Sequence, residues 1–127
     1  MASELRVNTL KDASGNNSIA TSFVAQGSAK HWSMIANGGT PSISNSLNAS
    51  SVSDDAQGNF TISLSSAMEN TNQAALGMVS NSASNPSTST CTGQLETTST
   101  LAVETVNSSA ASTDVAFNQF AINGDLA

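Results

Sequence analysis

Apolar and polar residues alternate over several short stretches of this chain. Phe60, Ile62 and Leu64 fall on one side of a candidate strand, with Thr61 and Ser63 on the other. Leu101, Val103 and Thr105 repeat the pattern, as do Val115 and Phe117, and Leu5, Val7 and Thr9 near the start. Period two is the mark of a half-buried β-strand. Less regular alternation adds candidate strands at 19–24, 30–36, 43–47 and 74–79. The stretch 68–78 is the best case for a helix, but Thr71, Asn72 and Gly77 argue against one. It reads as a loop followed by a strand.

Residues that tolerate positive φ punctuate these runs: Gly15-Asn16-Asn17, Asn37-Gly38-Gly39, Gln57-Gly58-Asn59 and Asn123-Gly124-Asp125. Breaks at such short spacing predict an all-β fold, a small antiparallel β-sandwich or barrel. Trp32, Phe60, Ile62, Leu64, Leu101, Val103 and Phe117 are the expected core. Ten of the fourteen residues 80–93 are Ser, Thr or Asn, and the stretch reads as a long surface loop. Residues 1–26 carry Leu5, Val7, Leu10, Ile19 and Phe23 at strand-like spacing but too few apolar groups for a core of their own. They read as an arm or docking segment, with the sandwich over residues 27–127.

Composition sharpens this picture. The 127 residues include 24 Ser, 13 Thr and 14 Asn, but hydrophobic residues are only 38% and aromatic residues 4%. Polar tracts of this kind often stay disordered, but disorder usually comes with high charge or many prolines. Here charged residues are 9% and there are two prolines, which suits turn-rich β structure. The core is thin, so burial between subunits is the expected source of further stability.

The formal net charge is −6, with Arg6, Lys11 and Lys30 as the only cations. Phosphate neutralisation dominates nucleic-acid affinity, so nucleic acid is not an expected partner. No apolar run is long enough to span a membrane, and the opening residues lack the apolar core of a signal peptide. A cytoplasmic site of synthesis is the expectation. Cys91 is the single cysteine and reads as a small buried hydrophobe.

Candidate chemistry is sparse. His31 is the only histidine, and 24 serines make a Ser–His coincidence cheap. The nucleophile-elbow pattern G-x-S-x-G is absent. The bland reading, a strand residue near an interface, outweighs a catalytic one. Asp54-Asp55 is the only adjacent acidic pair, but the spacing of a calcium loop is missing, and a solvated turn is the better reading. One His and one Cys sixty residues apart do not make a transition-metal site. Asn16, Asn48, Asn59 and Asn107 head N-x-S/T triplets, at a frequency close to chance for this composition. The expectation is a protein with no catalytic, cofactor or metal site.

Five short segments occur in an order that carries a resemblance. They are Gly27-Ser28-Ala29-Lys30-His31-Trp32, residues 45–51 (NSLNASS), 54–62 (DDAQGNFTI), 67–73 (AMENTNQ) and 120–125 (FAINGD). Together they resemble the β-rich terminal domains of tail-fibre-like and other surface proteins of marine, cyanophage-like bacteriophages. Residues 4–20 resemble the segment that often precedes that domain. The family's small residue before the tryptophan is His31 here, and its tyrosines become Phe60 and Gln73. The resemblance implies a jelly-roll-like β-sandwich that trimerises within a virion, as a capsid decoration or cement protein or a short fibre or adaptor. Its partners would be copies of itself and other virion proteins. The alternative it leaves open is a tail-fibre tip that binds host-surface glycans.

Overall fold

The computed structural model describes residues 6–15, 17–82 and 85–127. It is an all-β sandwich of antiparallel strands. The chain opens with a hairpin of β1 (Thr9–Lys11) and β2 (Ser18–Ala20) and a short helix, α1 (Thr21–Gly27). The strands of the sandwich follow: β3 (Ala29–Ala36), β4 (Ser42–Leu47), β5 (Ser51–Ala56), β6 (Asn59–Ser63), β7 (Ala74–Ser82), β8 (Asn85–Pro86), β9 (Thr90–Thr97), β10 (Thr100–Val106) and β11 (Phe117–Asn123). One sheet has the order β5-β6-β10-β9 and the other the order β4-β3-β11-β7-β8.

The core lies between the sheets and follows the pleat. From the four-stranded sheet come Phe60, Ile62, Leu95, Leu101 and Val103; from the five-stranded sheet come Ile35, Phe120 and Ile122. Leu64 and Met68 close one end, where Glu69 N donates to Asp125 O and Ala127 N to Ala67 O. Phe120 points its ring edge at Phe60, with centroids 6.1 Å apart. Gly77 and Gly93 leave room for that ring: a Cβ on Gly77 would lie 2.6 Å from Phe120 Cε1.

The other end of the sandwich is polar but satisfied along the backbone. Thr105 Oγ1 donates to Thr113 O at 2.5 Å, Thr105 N to Gly58 O at 2.7 Å, and Gly58 N to Asp114 Oδ1 at 2.8 Å. Asn118 is fully buried there; its Nδ2 donates to Val115 O, and its Oδ1 has no partner among the described residues.

Several expectations need correction. Trp32 is 40% exposed and Phe117 only half-buried, so neither belongs to the core. In β3 it is His31, Ser33 and Ile35 that point inward. The candidate strand at 19–24 is β2 followed by α1. A hairpin of three-residue strands offers residues 21–24 no further strand to pair with, so their backbone groups bond locally. Thr21 Oγ1 donates back to Val7 O, and Ser28 N to Val24 O ends the helix. The expected strand at Leu5–Thr9 begins only at Thr9; Leu5 lies outside the described residues.

The expected loop at 80–93 is largely strand. β7 continues to Ser82, β8 pairs back onto it, and β9 begins at Thr90. Backbone pairing with β10 organises β9 even where its side chains are Thr and Gly. Asp54 and Asp55 lie in β5, not in a turn. The strand runs along the sheet edge, with an irregularity between Asp54 and Ala56. Charge and irregularity there discourage unwanted edge pairing. Asp55 accepts hydrogen bonds from Thr61 Oγ1 at 2.7 Å and Ser53 Oγ at 3.3 Å.

Candidate functional site

The two sheets differ on the faces they turn outward. Directly opposed residues of neighbouring strands share a face. On the four-stranded sheet the outward residues are Ser51 and Ser53, Thr61 and Ser63, Ala102 and Glu104, and Thr92 and Gln94. This is an ordinary solvated surface.

The five-stranded sheet is different. One row across it reads Leu47, Trp32, Ala121, Leu76, and the next reads Asn45, Met34, Gln119, Met78. A third holds Ala36, Phe117 and Ser80. Trp32 is 40% exposed, Leu47 48%, Leu76 63% and Met78 67%. Four strands at their usual spacing make this face about 14 Å wide. An antiparallel sheet normally keeps one face for the core and one for water. Here the outward face of the five-stranded sheet carries large apolar side chains as well as the inward one, which makes it the candidate interaction surface. Trp32 and Phe117, the two residues misplaced in the core from sequence, both belong to this outer face. Val115, expected on the same strand face as Phe117, instead precedes the strand and is buried, so the alternation does not run through that pair.

The N-terminal segment adds a second apolar surface. Leu10 and Ile19 are cross-strand partners on the hairpin, and both are exposed, as are Val7 and Val24. Phe23 on α1 is 71% exposed, and no residue of that helix is buried. The principal contacts of this segment are with itself, β1 with β2 and β2 with α1.

His31 is fully buried on the inward side of β3. Its Nδ1 lies 3.4 Å from Asn48 O and its Nε2 3.1 Å from Ser33 Oγ. A carbonyl can only accept, so Nδ1 carries the proton and Nε2 accepts from the Ser33 hydroxyl. Burial lowers the pKa of the ring below 6.5, against the smaller opposing effect of backbone hydrogen bonds at Asn48 and Leu47. Asn48 has a φ of 60° and braces the adjoining segment: its Oδ1 accepts from Ser66 N at 2.6 Å and its Nδ2 donates to Ser66 O at 3.0 Å. His31 is thus part of the framework between β3 and the β4–β5 connection. Cys91 is half-buried, and burial raises its thiol pKa. Among the described residues no three His, Cys, Asp or Glu side chains gather where they could hold a metal ion, and no helix is long and apolar enough to cross a membrane.

Set against protein-family models, curated proteins and solved structures, the chain matches none.

Proposed function

We propose that this protein is a non-enzymatic structural subunit of a bacteriophage particle, which assembles with copies of itself, as a trimer, and with other virion proteins on the particle surface. The observation that carries the assembly is the apolar outer face built from Trp32, Leu47, Leu76 and Met78. A chain this poor in apolar residues has placed several of its largest ones outside its own core. That distribution favours a subunit whose burial is completed by a neighbour. The phage setting rests on the ordered resemblance of residues 27–125 to phage surface domains.

The expected result is a trimer mass by light scattering of the full chain, and its detection in purified particles. A chain that stays monomeric at high concentration, and that is found only as isolated copies on particles, contradicts this reading. One feature favours a second reading, in which the face binds host glycans. Trp32 has the exposed amides of Asn45 and Gln119 diagonal to it on the same face, a pairing of ring and hydrogen-bonding groups suited to sugars. Binding of the chain to a glycan array, lost in Trp32→Ala, separates the two.

A further inference from the structure

Resting on the self-assembly reading, we infer that the outer face of the five-stranded sheet receives the N-terminal segment of a second copy, with Phe23 of one chain seated against Trp32 and Leu76 of the next. Two apolar surfaces stand uncovered in the same chain, and they are of comparable size. A seven-residue helix is about 10 Å long, which fits a face about 14 Å across. A helix that short, with nothing buried, is marginal in water and gains order by docking.

The distribution of charge selects the same pairing. Residues 29–127 hold Lys30 against Asp54, Asp55, Glu69, Glu96, Glu104, Asp114 and Asp125, so the sandwich alone carries the net charge of −6. In residues 1–28, Arg6 and Lys11 balance Glu4 and Asp12. Two sandwiches meeting face to face would bring like charges together, whereas the neutral N-terminal segment approaches a sandwich without that penalty.

Chain connectivity then allows the contact to repeat. Only Ser28 separates α1 from β3, and β3 carries Trp32 and Met34 on the receiving face. Each copy therefore donates at the end of the strand through which it also receives. A donor surface meeting a different acceptor surface is a heterologous contact, which closes into a ring when the rotation permits. Threefold closure is one such ring.

The test uses full-length chains with Phe23→Asp, which disables the donor, and Leu76→Asp, which disables the acceptor. Both side chains are exposed, so each variant should keep a β-type circular-dichroism spectrum and a cooperative thermal transition, with the midpoint lowered only by the loss of assembly. Trp32 is the only tryptophan, and its fluorescence reports on the face directly. Each substitution alone should weaken assembly by roughly tenfold or more, and the concentration-dependent blue shift of Trp32 emission should be lost with it. An equimolar mixture should then form pairs and nothing larger, because one donor and one acceptor remain between the two variants. If Leu76→Asp abolishes assembly while Phe23→Asp leaves it intact, the faces meet each other and the inference is overturned. If the wild-type chain assembles and neither substitution matters, the inference falls and self-assembly stands. A wild-type chain that never assembles removes both.

Discussion

Phe60 is 1% exposed and faces the edge of the Phe120 ring across the centre of the sandwich. Truncation to alanine removes a large ring from a site hemmed by β-strands on both sides, which cannot collapse to fill it. Phe60→Ala should cost about 3–5 kcal/mol in chemical denaturation; a loss near zero would mean the ring is not the centre of the core. His31 makes a different kind of demand. Its folded-state pKa is below 6.5 because burial disfavours the cation. Above pH 6.5 the ring is neutral in both states, and the arrangement is fully stable. As pH falls below 6.5 the unfolded chain takes up a proton that the folded chain refuses, so stability declines until the folded pKa is reached. The slope is at most about 1.4 kcal/mol per pH unit for one proton. Denaturation midpoints between pH 6.5 and pH 5, above the range of ordinary carboxylates, should fall for the wild type and be flatter in His31→Gln. Equal slopes would remove His31 as the cause.

At the scale of the element, the turns and the edges decide where strands can lie. Gly58 links β5 to β6 with a φ of 71°, and a Cβ there would come within 2.5 Å of Thr113 N and 2.6 Å of Thr105 O. Gly58→Ala should therefore lose about 1–3 kcal/mol from the backbone conformation alone, with the clash in addition. Gly38 has open space around its Cβ position, so Gly38→Ala is the control, expected within about 0.5 kcal/mol of wild type. Comparison of the two midpoints is the measurement. The turn at Gln57-Gly58-Asn59 was legible in the sequence because only a few residue types tolerate such a φ. The strands Phe60–Leu64 and Leu101–Thr105 were legible because their neighbours bury one side. β5 and β9 were not, since SVSDDA and TCTGQLET carry little apolar alternation. Both are sheet edges, held by backbone pairing on one side only. The helix at Thr21–Gly27 was missed for a related reason: Phe23 and Val24 favour strands by propensity, and only the lack of a pairing partner turns them otherwise.

For the whole molecule, the sequence supported the two-layer all-β architecture but not the identity of its faces. Period two tells which residues share a side, not which side meets the core. In β3 the choice lay between Trp32 with Met34 and His31 with Ser33 and Ile35, and hydrophobicity favours the first. The fold takes the second, because Ile35 pairs with Ile43 and Asn118, and His31 with Ile122, on the inward side. The candidate site was thus visible only as residues too apolar for the surface they occupy.

The order of the strands also has a consequence in time. β11 is the central strand of the larger sheet, between β3 and β7, yet it comes last in sequence among that sheet's strands. The eighty residues 37–116 lie between the end of β3 and its start. As the polypeptide is synthesised, β3 and β4 are the first strands of this sheet to emerge, as a two-stranded hairpin, which is marginal alone in water. The apolar row from Leu47 to Leu76 does not exist until β11 inserts and brings its two halves together. Contacts between such distant parts of a chain form slowly. The surface through which copies would associate therefore exists only after β11 has emerged and inserted, and nascent chains that have not reached β11 lack it.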